Sequence, residues 1–524
     1  MKRMNARSNK PALVIVLAVL IALFAGCKRD FLDRDPQGSY TQETYPYPGG
    51  SGPYDTYLFG AYSELRSFNV HSQFFIFATS VRSDDADRGS TPTDGVPNSS
   101  DFDDFPVSPS STWANGLWTG YYSFVNKCNI ALDQIRNNAT IVATPQVKLQ
   151  SEAEARFLRG YAYFMLVRFF GRVPIIDSVT TVSQNNVPQS PSATVYAFIE
   201  NDLQFAAANL PPLWDAKFVG RATSGAANGI LAKVYLTQGK WGPAMMVAQA
   251  VMNSGQYNLS TTYDRIFREE GENSKESVFE VQATATPTTP QANGVQYAQI
   301  QGIRGAGVWN LGIGWNVPST YLRDAYEAGD PRRARTILFM SSRGLNGQAD
   351  TVNKSIYGEE LPFWSASGST PNPRYNNKVY TNPALRASIN NFGYWMNVRI
   401  LRYADVLLMF AEAANEMGGA GNISAARDSL NAVRIRARAG NVGVLPSITT
   451  LDQAALREAI RRERRIELAM EHDRFFDLVR WGIAQITLNA SGKPNYNNNR
   501  DALLPIPQTQ IDLSRGILTQ NPGY

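Results

Sequence analysis

Four stretches of the chain repeat apolar residues at helical spacing, and between them run long segments in which no period holds. In 154–171, EARFLRGYAYFMLVRFFG, Leu158, Ala162, Met165 and Phe169 fall on one stripe, widened by Phe157, Tyr161 and Phe164. That pattern predicts a helix with a broad buried face. Residues 228–257 predict two helices around a short turn at Gly242 and Pro243. Small Ala232 and Gly239 with bulky Tyr235 mark the first, and Ala244, Ala248 and Val251 the second. Small residues let two helices approach and a bulky one fills the gap, the device of tetratricopeptide-type pairs. Residues 401–437 repeat it: Leu407, Phe410, Ala411, Ala414 and Met417 line one face, followed by a Gly-rich turn and a second helix. The spacing between units is too irregular for a regular array. From about Leu451 to Trp481 a further helix is predicted, densely charged. Glu458 precedes Arg462 by one turn, and Glu463, Glu467, Glu471 and Asp473 interleave with arginines. This reads as a salt-bridged solvent face rather than a nucleic-acid helix.

The aperiodic segments are rich in Pro, Gly, Asn and aromatics, and loops on a rigid scaffold are where function concentrates. A sugar binder needs flat rings for the apolar face of a pyranose and Arg, Asn, Asp or Gln for its hydroxyls. Residues 78–105 and 294–319 supply both. Trp309 and Trp315 are the first candidates for ligand stacking, then Tyr297 and Phe102, with Asn310 and Arg82 to hydrogen-bond. Catalysis finds little support. The two histidines, His71 and His472, sit in neither an H-E-x-x-H nor a triad motif, and His472 reads as a surface or helix-packing residue. A carboxylate pair for glycoside hydrolysis needs no histidine and is not excluded by counting. The acidic runs at 83–87 and 101–105 read as turn and cap residues, ahead of a calcium site whose spacing they do not match. The glycines of 305–314 follow no strand–turn–helix, so no phosphate loop is assigned. The reading is of a non-enzyme with no catalytic residue, cofactor or metal.

The first 26 residues differ from the rest. Lys2, Arg3, Arg7 and Lys10 precede an apolar run, 11–25, that is shorter than the roughly 20 residues needed to span a bilayer. Ala25 and Gly26 then lead into Cys27. A basic start, a short apolar run and small residues at the break make a cleavable signal. It resembles a bacterial lipoprotein signal, with Phe24 in the place usually held by Leu and Leu23 one before it. Cys27 is then the lipidated first residue of the mature chain, and 27–53, rich in Pro, Gly and polar residues, its tether. Removing four basic residues and no acid takes the formal charge from +5 to +1, so the basic balance gives no reason to expect nucleic acid. Cys128 is left alone and reads as a small buried thiol. Residues 54–524 follow as the binding domain, and the whole chain, 43% hydrophobic and 11% aromatic, has a globular composition. Length alone would allow two lobes, though no linker divides them.

Several blocks carry a family resemblance. They are FLDRDPQG after the cysteine, LWTGYYSFVNKCNIAL, EARFLRGYAYFMLVRFFGRVPII, ILRYADVLLMFAEAANE, RRERRIELAMEHDRFFDLVRWG and the tail LLPIPQTQIDLSRGILTQNPGY. In this order the chain resembles the SusD/RagB family of Bacteroidota nutrient-binding lipoproteins over nearly its whole mature length. The resemblance implies a mostly α fold, four tetratricopeptide-like helix pairs with loop-rich, minor-β insertions, and a ligand-binding side at roughly 280–400. It also implies an outer-membrane lipoprotein, lipid-anchored and facing outward, that binds oligosaccharide and delivers it to a SusC-like TonB-dependent transporter. The alternatives are a peptide ligand on the same fold, or a protein-only adaptor.

Overall fold

The computed structural model describes residues 52–180, 186–340, 354–362 and 372–524. The signal, Cys27 and nearly all of the tether lie outside them. Eight helices form the scaffold: α1 (Thr112–Asn137), α2 (Pro145–Phe170), α3 (Ser192–Asn209), α4 (Ser224–Thr237), α5 (Trp241–Asn253), α6 (Tyr403–Met417), α7 (Ala420–Ala437) and α8 (Gln453–Glu467). Each packs on the next in sequence, making four consecutive pairs, and α5 meets α6 although some 150 residues separate them in the chain. The helix Asp55–Glu64 lies against α1 and α2.

Local chemistry sets the ends. Ser111, Thr144, Thr223 and Asp452 each accept a hydrogen bond from a backbone N–H of the first turn of α1, α2, α4 and α8. Gly239, with φ 67°, ends the turn between α4 and α5, so it lies outside the first helix, and Pro243 falls in the first turn of α5 where a missing N–H costs nothing. From Phe157 to Phe170, α2 is buried on every side except at Arg168, so its stripe is the whole helix surface.

Short two-stranded pairs organise the residues between α5 and α6, and one of them ties these residues to the chain before α1. Ser277–Val281 pairs antiparallel with Val398–Arg402, the strand that runs straight into α6. Ile337–Phe339 pairs with Arg374–Asn376, and Ala86–Gly89 with Trp315–Pro318. The main apolar core draws residues from Ala61 to Leu518, including Val278, Ile300 and Trp315 of the segment between α5 and α6, with smaller clusters beside it.

The charged helix departs from its sequence pattern. It stops at Glu467, resumes at Arg474–Arg480, and between them Met470 and His472 adopt φ of 66° and 74°. Glu458 and Arg462 do face solvent, but the other side of the helix carries buried charges. Glu467 is buried among Arg332 (3.1 Å), Arg402 (3.0 Å) and Arg436 (2.5 Å), and Glu463 bridges Arg332 (2.5 Å) and Arg434 (2.9 Å). Arg464 meets Asp405 (2.5 Å) and Asp477 (2.8 Å). Burial alone would raise the Glu467 carboxyl, but Arg436, Arg402 and Arg332 outweigh it and hold it down to about 2. These pairs clamp α7, α8 and the strand before α6 to residues of the long insertion.

Candidate functional site

The register of one short strand pair brings the two candidate loops together. Ala86 lies opposite Pro318, Asp87 opposite Val317 and Gly89 opposite Trp315. Gly89 has φ 74°, and a Cβ there would stand 2.5 Å from the Gly314 carbonyl oxygen, so the crossing needs glycine. Beyond it Ser90 N–H donates to Gly314 O (2.7 Å) and Ser90 Oγ lies 2.8 Å from Ile313 O. Arg304 Nη1 donates to Ser90 Oγ (2.8 Å) and pairs with Asp94. Burial opposes ionisation of Asp94, yet hydrogen bonds from Ser90 and Thr91, with Arg304 beside it, hold its carboxyl below the usual range. The Arg304–Asp94 pair is therefore a charged clasp between the loops, partly open to solvent.

The tip that this clasp supports is Gly307–Trp309, a 3₁₀ turn. Val308 is 76% exposed, Asn310 is exposed, and Trp309 is half-buried with part of its ring on the cluster of Ile303, Leu311 and Tyr375. A partly exposed indole packed on that cluster, followed in sequence by exposed Asn310 and on the same loop as Arg304 of the clasp, offers a stacking face with donors and acceptors.

The other candidates are placed differently. Trp315 is 5% exposed, its ring 5.0 Å from Phe77 and 5.5 Å from Trp113, so it is core beneath the loops rather than a stacking platform. Phe102 is wholly buried against the same Phe77 and Trp113. Arg82 is also fully buried, 4.1 Å above the Phe475 ring, donating to Leu503 O (3.5 Å) and to Asp501 O. It is a strut and cannot reach a surface ligand. Tyr297 donates to His472 Nε2 at 2.5 Å. Thr79 Oγ1 gives its proton to Phe75 O (2.7 Å), so it accepts from His472 Nδ1 (3.0 Å), and the histidine is neutral with its proton on Nδ1. Burial pushes His472 down to about 3 and His71 down to about 4. His472 is thus an interior group, not a surface one, and Tyr297 serves it.

The acidic runs are also structural. Asp84 and Asp85 are buried and paired with Arg465 (2.9 and 2.7 Å), with Asp84 also on Arg474 (2.8 Å), and Asp103 pairs with Lys493. Cys128 is buried and unpaired, its thiol pushed up by burial. Ser90 and Asp94, which complete the clasp, were not singled out from the sequence. An acid in a Pro- and Thr-rich loop gives no sign of an arginine more than 200 residues away.

The chain matches the model described as SusD family over residues 275–524, and the one described as starch-binding, associating with outer membrane, over 79–236. SusD-like protein P2 of Formosa agariphila is 29% identical over 97% of this chain and 99% of its own. The starch-binding protein SusD of Bacteroides thetaiotaomicron is 24% identical over 80% of each. A solved laminarin-binding SusD-like protein superposes with a TM-score of 0.74 at 27% identity, over 90% of this chain and 99% of that one.

Proposed function

We propose, from the premise that this chain belongs to the SusD family, that it is a non-catalytic glycan-binding lipoprotein of the outer membrane. In this reading an oligosaccharide lies across the 88–98 and 302–314 loops, stacked on Trp309 and hydrogen-bonded by Asn310, Arg304 and Asp94. The observation that carries it is the Ala86–Gly89 and Trp315–Pro318 pairing, which joins the loop of Asp94 to the loop that holds both Arg304 and the half-buried Trp309. Laminarin and starch binders among the similar proteins support the ligand class. Cys27 carries the lipid, 27–53 is the tether, 54–524 the binding domain, and a SusC-like TonB-dependent transporter receives the glycan. Two or more acyl chains anchor a protein stably where one does not.

A few stacked rings and exposed hydrogen bonds leave little affinity after ordering costs, so a dissociation constant of roughly micromolar to millimolar is expected, about −8 to −4 kcal/mol. Calorimetry with laminarihexaose, maltohexaose and an uncharged hexapeptide tests the ligand class. Heat with a glycan and none with the peptide is the expected result; heat with the peptide alone would replace this reading with a peptide-binding one. Labelled fatty acid should appear on the wild-type protein and be absent from Cys27→Ala, which should leave the membrane fraction. An unlabelled wild type would contradict the anchor.

A further inference from the structure

We propose that Gln301 is a positioning residue for the Trp309 loop: its side-chain amide closes the neck of the loop and so sets how tightly a glycan binds, without touching the glycan. The role rests on a glycan binding at that loop.

The neck is where the chain leaves the helix Tyr297–Gln301 and returns into the strand Trp315–Pro318. It is narrow. A Cβ on Gly302 would stand 2.4 Å from Leu311 O, so only glycine lets the two limbs come this close. Two backbone hydrogen bonds cross the gap, Leu311 N–H to Ile303 O (2.9 Å) and Ile313 N–H to Gln299 O (2.8 Å). At the base lies Gln301, with no exposed surface.

Gln301 Oε1 accepts from Asn316 Nδ2 (2.7 Å) and from Asn376 Nδ2 (2.8 Å), and its Nε2 donates to Tyr297 O (3.2 Å). The direction of all three amides follows from a backbone group. Lys378 N–H donates to Asn376 Oδ1 (3.0 Å), which turns Asn376 Nδ2 toward Gln301. The Gln301 atom it meets is then the oxygen, and Asn316, on that same oxygen, presents its nitrogen. Asn316 and Asn376 are buried too. Asn316 has φ 56°, a conformation that asparagine adopts more readily than most residues. One buried oxygen thus joins both limbs of the neck, at 301 and 316, to a third segment. That segment, Arg374–Asn376, is itself held by its pairing with Ile337–Phe339.

The link to binding is the floor under the indole. Trp309 packs on a cluster that takes Ile303 and Leu311 from the limbs and Tyr375 from the third segment, and Tyr375 OH donates to Arg304 O (3.3 Å). Opening the neck parts these groups and leaves the ring without a base. The apparent dissociation constant then rises by the fraction of molecules whose loop is not closed. Buried amides in a complete network fix one register where apolar packing alone tolerates several.

The test is hydrogen exchange of the full-length protein without ligand, read over 302–314 and over α5, together with calorimetry of laminarihexaose and maltohexaose. Gln301→Met removes the shared acceptor in a side chain of similar length. Asn316→Gly removes one donor and keeps the backbone angle. Val251→Ala, on the buried face of α5, is the comparison for a general loss of stability. Exchange over 302–314 should quicken by about tenfold or more in Gln301→Met and by about fivefold in Asn316→Gly, with α5 as in wild type. The dissociation constant of the tighter hexasaccharide should rise in the same order. Val251→Ala should quicken exchange in α5 and leave both 302–314 and the affinity as in wild type. Unchanged exchange over 302–314 in both neck variants, an equal rise in α5, or wild-type affinity in Gln301→Met would overturn the proposal. A wild type that binds neither hexasaccharide would remove the glycan reading instead, and exchange over 302–314 would still decide whether Gln301 closes the neck.

Discussion

Two indoles in one loop, Trp309 and Trp315, separate what a ligand can touch from what holds the loop up. Trp309→Ala removes a partly exposed ring. It should cost on the order of 1–3 kcal/mol of glycan binding, taking weak binding below easy detection, with the melting temperature nearly unchanged. Trp315→Ala removes a ring packed between Phe77 and Trp113 and should cost about 3–5 kcal/mol of stability. Calorimetry and melting curves on both variants separate the roles; equal destabilisation by the two would contradict them. Tyr297→Phe is a third case. It takes the proton donor from buried His472 and should destabilise by about 1–3 kcal/mol while glycan affinity stays as in wild type. From sequence, all three aromatics share a loop-like context rich in Gly and Asn. What divides them is whether a partner from a distant segment, Phe77, Trp113 or His472, covers the ring, and no local pattern encodes that.

At the scale of elements, periodic segments were legible and charged ones misled. The helix pairs at 228–257 and 401–437 follow from small and bulky residues at helical spacing, which packing then uses directly. The 451–481 pattern held for exposed Glu458 and Arg462 and misled for the rest, because alternating charges look alike whether they face water or one another. Here Glu463, Arg464 and Glu467 face arginines and acids brought in by other elements. The break after Glu467 has no Gly or Pro to announce it. The buried pairs of Glu471 with Arg402 (2.7 Å) and Lys378 (2.5 Å), and the hydrogen bonds of His472, are instead satisfied in a non-helical path. Removing one partner of a buried ion cluster leaves the others uncompensated. Glu467→Gln should therefore cost about 3–5 kcal/mol in denaturant unfolding. A change under about 1 kcal/mol, the surface-pair range, would show that these charges are hydrated after all.

At the scale of the molecule, the insertion between α5 and α6 joins the main core through Val281, Ile300 and Trp315 and adds smaller clusters of its own, and the stability of the whole fold should carry a pH signature. His71 is buried and neutral, its Nδ1 at 2.8 Å from Leu65 O and Nε2 at 2.7 Å from Tyr161 OH. Its folded pKa, about 4, lies below the unfolded value of 6.5. The stability tied to this group is then complete above pH 6.5 and is lost as pH falls toward 4, on the order of 3 kcal/mol. Glu272, pushed up to about 7 by burial, works in the opposite sense over part of that range, so the informative quantity is a difference. The stability gap between wild type and His71→Gln should shrink by about 3 kcal/mol between pH 6.5 and 4. A gap that stays constant would place a charged or solvated imidazole at this position.

If a glycan lies where the 88–98 and 302–314 loops meet, a crystal structure with the tightest-binding hexasaccharide shows it directly. The expected map shows a pyranose ring on the open face of Trp309, with hydroxyls within hydrogen-bond distance of Asn310 and of the Arg304–Asp94 pair, and Trp315 untouched below. A sugar bound at full occupancy elsewhere, with Trp309 and the clasp unchanged and bare, would contradict it.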